Sequence, residues 1–339
     1  MSKDAIIFRT AVVIPFFQRN AGILSGTVHA ALAQKGIQDF EIIVVDDCSP
    51  IPAMKELSGV MADFPGRIRI IQMDKNSGQG AARNKGMESV RPETEFVAFL
   101  DSDDQWSDTH LYNALFALEQ GYDFYFSDFY QLHQTVSAFN RAKRINPSEH
   151  ERVAGSDSLY KFQLSMFNQI IMGNVLGMST IVYRFRKFPD VRFREEFRST
   201  GEEYIFWLDL AQLTNRIVFS AANECRYGEG VNTYSGAMWG KEGAIQKLHD
   251  EIKYLRYILT QYSLEETQRR HVLGRIKDLR VGFVEEVLHR ITHRKPINPK
   301  VCLSLVKMDR PLILLAVPIS LKVLYSKVIP DKSHDKAIS

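Results

Sequence analysis

At 339 residues the chain is long enough for one large domain with a substantial appendage, and its 45% hydrophobic and 24% charged content excludes a disordered, collagen-like or disulfide-stapled class. The net charge of +3 is unevenly spread: 19 Lys and Arg against 11 Asp and Glu lie between Lys241 and Ser339, leaving −5 on the first 240 residues. A polyanionic partner, a membrane surface or a nucleic acid, is therefore to be sought at the C-terminal portion.

Cys48, Cys225 and Cys302 are far apart and form no CxxC pair, which argues against a structural zinc site and fits a reducing cytoplasm. Met1 to Thr10 carries Asp4 and Arg9 and no apolar run, so no signal peptide is expected.

In chain order, Ala11–Phe16, Glu41–Val45, Arg67–Met73 and Glu95–Leu100 read as strands. Helices are expected between them at Ala21–Gln34, Ala53–Phe64 and Gly80–Val90. Such alternation predicts a parallel sheet with helical crossovers, whose ligands bind beyond the carboxyl ends of the strands. Next come a helix at Thr109–Glu119 and an aromatic strand at Tyr122–Tyr130. A flexible loop is expected at Arg141–His150, a helix at Ser156–Gln169, a strand at Ser179–Arg184 and a helix at Glu202–Leu213. Beyond Gly243 the spacing of Ile252, Leu255, Ile258 and Leu259 is helical, placing a boundary near Gly240. The expected domains are thus 1–240 and 241–339. Pro311–Leu321 is free of charge but shorter than the roughly 20 apolar residues of a membrane span. It reads either as a buried helix or as one lying in a membrane interface, flanked by Lys300, Lys307, Arg310, Lys322, Lys327 and Lys332.

Four polar groups stand at the predicted strand and helix ends. Asp101, Ser102, Asp103 and Asp104 follow the fourth strand. Asp101 and Asp103, two apart in extended chain, face the same way and suit a hard cation such as Mg²⁺ or Mn²⁺. The alternative is an acidic turn with Asp104 or Ser107 capping the next helix. Asp46 and Asp47 end the second strand, where a carboxylate can accept the imide N–H of a uracil-like base or instead bond the turn's own backbone. Asn76 to Gly86 leads small residues into a helix whose N-terminal amides favour phosphate, with Arg83 adding charge. It contains no Walker A loop, and no GxGxxG follows the first strand. Glu202 and Glu203 open an apolar helix, either as a general base with its neighbour or, with Thr200, as a capping box. The histidines are not grouped as metal ligands.

Taken in order, VVIPFF, VVDDCSP, NSGQGAARNKG, FVAFLDSDDQW and GEEYIFWLDL resemble the family 2 inverting glycosyltransferases with the A-type fold, over roughly Thr10 to Leu213. Among subgroups the chain is most similar to bacterial exopolysaccharide glucosyltransferases of succinoglycan-type pathways. The resemblance implies a Rossmann-like α/β mixed sheet flanked by helices, followed here by a helical C-terminal region. It implies that Pro15 and Phe16 begin a nucleotide pocket and that Asp47, with Asp46, contacts the base. Asn76, Gly78 and Arg83 would lie along the nucleotide and diphosphate, and Asp101 with Ser102 and Asp103 would form the DxD motif. Asp103 would be the foremost ligand of Mn²⁺ or Mg²⁺, with Asp101 beside it. Glu203 aligns with the base and Glu202 with its acidic neighbour, although the family usually has Glu-Asp where this chain has Glu-Glu. The QxxRW motif of processive members is absent, so one sugar per encounter is expected. The stretch 228–235 (GEGVNTYS) stands in its place, as a segment able to border the donor.

The implied partners are a nucleotide-sugar donor, UDP-glucose foremost, and a carbohydrate or lipid-linked oligosaccharide acceptor. Membrane contact would come through the C-terminal region at the cytoplasmic face, and no nucleic acid is implied. A nucleotidyltransferase would carry a Gly-rich basic loop after the first strand, where Phe16-Phe17-Gln18-Arg19-Asn20 stands. An inactive sugar-binding module would be expected to lack one of Asp101, Asp103, Glu202 and Glu203, and all are present.

Overall fold

The apolar runs of the first hundred residues become parallel strands in the computed structural model, which describes residues 8–198, 200–229 and 239–328. β1 (Thr10–Phe16), β2 (Phe40–Asp46), β3 (Ile68–Gln72) and β4 (Phe96–Phe99) lie side by side in the order β3-β2-β1-β4. Every residue of β1, β2 and β4 is buried, so these strands read as continuous apolar runs rather than alternations. The crossovers are α1 (Ile23–Leu32), α2 (Ala53–Asp63) and α3 (Gln79–Glu88). A Cβ on Gly86 would fall 2.4 Å from Val13 Cγ1, so glycine lets α3 lie directly against β1. Phe16 is in register with Asp46, and Asp46 with Gln72, which brings the carboxyl ends of three strands to one edge.

The chain continues through β5 (Gln105–Trp106), α4 (His110–Glu119), β6 (Phe124–Tyr130), α5 (Ala138–Ala142), β7 (Leu159–Lys161) and α6 (Met166–Met172). It then forms β8 (Val182–Arg184), α7 (Glu202–Leu213) and β9 (Ile217–Arg226). These extend the sheet as β4-β8-β6-β9-β5, with β7 on β9. The β4–β8, β8–β6, β9–β5 and β7–β9 pairs are antiparallel, so the sheet is mixed.

Two expectations change, and one strand carried no expectation. Ser156–Gln169 is not a helix: Leu159 is buried where β7 pairs with β9, and helix begins only at α6, capped by Ser165. Arg141–His150 is ordered by α5, capped by Ser137, and by a 3-10 turn at Pro147–Glu149 capped by Asn146. β9 had no clear sequence signal because it buries Ser220 and Glu224. Glu224 is satisfied by His110, Asn113 and Tyr125.

The structure divides into two compact units, Met1–Arg198 with Glu202–Val231, and Ser199–Gly201 with Asn232–Ser339. The first holds the sheet. The second holds α8 (Ala244–Gln261), α9 (Glu266–Thr292), α10 (Pro299–Met308) and α11 (Pro311–Val328). At the α10–α11 junction the fully buried Asp309 accepts from Arg280 at 2.6 and 2.7 Å and from Arg256 at 3.0 Å. On α11, Leu312 is buried while Ile313, Leu314, Val317 and Leu321 are exposed, Leu314 by 81%. No helix among the described residues is long and apolar enough to cross a membrane. Beyond residue 229, the stretch 228–235 lies outside the described residues.

Candidate active site

β4 stops at Phe99, and Leu100 still donates to the Val13 carbonyl, so the acidic residues emerge where pairing ends. Asp104 N–H closes the turn on the Asp101 carbonyl at 3.0 Å. Ser179, fully buried, accepts the Asp101 amide at 2.9 Å and donates to Asp104 Oδ2 at 2.5 Å. Asp104 Oδ1 accepts the Gly228 amide at 3.0 Å. A Cβ on Gly228 would sit 1.7 Å from the Asp103 carbonyl oxygen, so only glycine passes there. Neither Asp104 nor Ser107 caps α4, whose N-cap is Thr109. Asp104 is a buried brace, and its pKa is pushed well above the usual range by burial and then by the charges of Asp101 and Asp103. Asp101 and Asp103 remain half-buried on the outer side of the turn.

Arg83 departs from its expected place. Its side chain is 0% exposed, so it cannot lie along a diphosphate without the site opening. It points inward from α3, and its Nη2 donates to Asp101 Oδ1 at 2.7 Å and pairs with Glu203 Oε1 at 2.9 Å. Its guanidinium lies over the Phe193 ring, 5.3 Å from the centroid. Beneath, Phe193 and Phe206 stack at 4.2 Å, with Phe99 edge-on to both at 5.4 and 5.5 Å. Burial opposes the guanidinium charge, but Asp101, Glu203 and Glu202 outweigh it and hold the pKa above the ordinary value. Gly80 makes the approach feasible, because a Cβ there would meet Phe193 Cβ at 3.3 Å and Glu202 Cγ at 3.5 Å. Asn84 holds the segment at Phe193 down, exchanging hydrogen bonds with both the N–H and the carbonyl of Phe193 at 2.9 Å.

The two glutamates differ in setting. The Glu203 side chain is 26% exposed and leans on Arg83, whereas Glu202 is buried. Burial raises the Glu203 pKa while Arg83 opposes the rise. Glu202 is pushed up to about 7 by burial and then by Glu203, against Arg83. The folded state therefore binds the Glu202 proton more tightly than the unfolded chain, and stability falls as pH rises from about 4.5 to about 7. Glu202→Gln removes this term. Its Tm should drop less than that of the wild type between pH 5 and 7.5, and exceed it at pH 7.5 by about 2–4 °C per ~1 kcal/mol recovered. Parallel calorimetric profiles for the two proteins would contradict this.

At the ends of β2 and β3 the aspartates bond backbone. Asp46 is fully buried, with Oδ1 accepting from Ser49 at 2.7 Å and Oδ2 from Ala53 at 2.8 Å. It holds the turn into α2. Asp47 accepts from Ser77 and Gly78, each at 2.7 Å, which pins the entry to α3, and each oxygen keeps a second lone pair. These two amides are thus already committed to Asp47 rather than open to phosphate. Gly78 has φ +95°, a conformation that glycine adopts freely. Asn76 donates to the Asp47 carbonyl at 3.2 Å and accepts Arg198 at 3.0 Å. Pro15 and Phe16 are buried at the end of β1. Ser102 is buried and accepts Gln18 Nε2 at 3.1 Å. Arg198, Gln18, Ser179 and Phe193 belong to this region and carried no sequence signal, since each depends on a partner at least 31 residues away.

Among the described residues, no group of three or more His, Cys, Asp or Glu side chains could hold a metal ion alone. Asp101 and Asp103 nonetheless fit a hard divalent cation completed by substrate oxygens. They are carboxylates on one turn, and their charges already burden Asp104.

Residues 11–185 match the model of glycosyl transferase family 2. The chain is 31% identical over 234 residues to the succinoglycan biosynthesis protein ExoW of Rhizobium meliloti (strain 1021), covering 67% of this chain and 70% of that one. Its fold resembles that of S. aureus TarS 1-349 in complex with UDP-GlcNAc. The TM-score is 0.56 at 18% identity, covering 93% of this chain and 89% of that one. In a longer TarS structure the chain spans 54% of the neighbour's length. It also resembles the mannosyltransferase PcManGT from Pyrobaculum calidifontis in complex with GDP-Man and Mn²⁺, with a TM-score of 0.57, 12% identity and coverage of 95% and 88%. The mixed sheet with flanking helices is the A-type glycosyltransferase fold, and the chain belongs to glycosyl transferase family 2.

Proposed function

We propose that this chain is an inverting, metal-dependent glycosyltransferase that moves glucose from UDP-glucose to the hydroxyl of a lipid-linked oligosaccharide in exopolysaccharide biosynthesis. The observation that carries the chemistry is the Arg83 bridge, which sets the carboxylate of Glu203 beside the Asp101–Asp104 turn. Glu203 accepts the proton of the acceptor hydroxyl as its oxygen attacks the anomeric carbon opposite the leaving diphosphate. The bond from that carbon to the diphosphate oxygen breaks in the same displacement, so an α-linked donor gives a β-linkage without a covalent enzyme intermediate. Asp103, with Asp101, would hold Mn²⁺ or Mg²⁺, which when bound offsets negative charge on the departing diphosphate. Asp47 offers its remaining lone pairs to the base, and Asn76, Gly78, Pro15 and Phe16 border the nucleotide.

The donor class draws support from the UDP-GlcNAc and GDP-Man complexes of the two structural neighbours, and the pathway from the name of ExoW. Titration of UDP and GDP, each with and without Mn²⁺, tests the reading. Metal-dependent UDP binding supports it, and binding of neither nucleotide would overturn it.

Catalysis is assigned to residues 1–240 and membrane contact to 241–339. On α11 the exposed Ile313, Leu314, Val317 and Leu321 carry no charge among them, and Lys307 and Arg310 precede them. This arrangement suits an amphipathic helix lying in an anionic interface at the cytoplasmic face. Flotation with vesicles containing 30% phosphatidylglycerol should carry the wild type, and Leu314→Asp/Val317→Asp should lose most of that binding while retaining UDP affinity. Equal flotation of both proteins counts against membrane contact through this face.

A further inference from the structure

Arg83 lies at the centre of the site yet cannot touch solvent. Its side chain is 0% exposed, and a single nitrogen, Nη2, serves Asp101 Oδ1 at 2.7 Å and Glu203 Oε1 at 2.9 Å. Asp101 stands on the turn after β4, and Glu203 opens α7, 102 positions later in the chain. The remaining Nε and Nη1 hydrogens are buried without a partner, so no further bonds fix the guanidinium against movement between the two carboxylates. Its planar face rests on Phe193, which permits small sliding motions while excluding water.

One charge shared between two carboxylates makes each sensitive to the other. We propose that Arg83 is a positioning residue that couples the donor-side carboxylate Asp101 to Glu203, so that occupancy at one end changes the hold on the other. The inference rests on the assignment of Asp101 to the donor side and of Glu203 to the acceptor side. When a cation and a diphosphate engage Asp101, its claim on Nη2 weakens and the guanidinium shifts its charge toward Glu203. Conversely, removal of the Glu203 charge concentrates Arg83 on Asp101 and makes that carboxylate a poorer partner for the donor. Such linkage is reciprocal in binding free energy and typically amounts to about 5- to 150-fold in affinity.

A binding cycle tests the inference without knowledge of the sugar or the acceptor. The dissociation constant of UDP at saturating Mn²⁺ is measured by calorimetry for wild type, Glu203→Gln, Arg83→Met and the double variant. Glu203→Gln should weaken UDP by about fivefold or more when Arg83 is present, and by less than about twofold when Arg83 is methionine. Arg83→Lys, which keeps the charge, should restore part of the Glu203→Gln effect, and Arg83→Gln, which lacks the charge, replaces Arg83→Met in the cycle if the methionine variant does not fold. An equal effect of Glu203→Gln in both backgrounds, or none in either, overturns the coupling even though UDP still binds. Loss of all UDP binding in the wild type would overturn the donor-site assignment itself and the coupling with it.

Discussion

Glu203→Gln is expected to lower turnover by about 10²- to 10⁴-fold, the range supplied by a positioned general base. Glutamine preserves the length and nearly the volume of the side chain, so Phe193, Phe206 and Arg83 keep their packing, and the loss reports the missing carboxylate. UDP affinity should change far less than turnover, since Glu203 is proposed to serve the acceptor and to act on the donor through Arg83. Steady-state rates with UDP-glucose, set beside UDP titrations of the same preparations, separate the two quantities. A variant retaining more than a tenth of wild-type turnover would move the base elsewhere.

Asp103→Ala is expected to abolish Mn²⁺-dependent UDP binding, a loss of at least about 100-fold in affinity, while metal-free binding stays near its wild-type value. The basis is the division of labour along the acidic turn. Asp104 is committed to Ser179 and Gly228 and Asp101 gives one oxygen to Arg83, while Asp103 is the residue that the family resemblance proposes as the foremost cation ligand. Removing a carboxylate from a site completed by substrate oxygens takes away a direct ligand of the cation. Titrations with and without metal read the effect, and Asp104→Asn provides a contrast. That change should lower thermal stability through its bonds to the turn, because it removes a brace rather than a ligand. Unaltered metal dependence in Asp103→Ala would refute the assignment.

Much of this was legible in the chain itself, for identifiable reasons. β1, β2 and β4 are buried on both faces and therefore appear as uninterrupted apolar runs, with the chemistry placed where those runs end. α7 matched its expected limits because an apolar stretch follows two acidic residues at its start. What failed was direction. A basic residue two turns into a helix reads the same whether it faces ligand or core, and only Gly80 and Phe193 reveal that Arg83 turns inward. At Asp46 and Ser102 the sequence left the same ambiguity, because a polar group at a strand end can bond its own backbone or its neighbours as readily as a substrate. β7 and β9 were hidden by tertiary context: three residues at a sheet edge carry almost no periodic signal, and buried Glu224 makes sense only beside His110, Asn113 and Tyr125.

The slab of Phe99, Phe193 and Phe206 beneath the buried Arg83 has a consequence for how the enzyme responds to its medium. A charge resting on stacked rings is poorly reached by mobile ions, whose screening acts over about 10 Å at 0.1 M ionic strength but only through water. The attraction between the carboxylates and the guanidinium should therefore persist in concentrated salt, whereas lysines and arginines around α10 and α11 should lose their pull on anionic lipid. Raising sodium chloride from 0.05 to 0.5 M would then release the protein from vesicles while leaving the rate of the bond-breaking step on a soluble acceptor nearly constant. With the membrane contact proposed for α11, ionic strength would become a dial that separates where the enzyme resides from what it does.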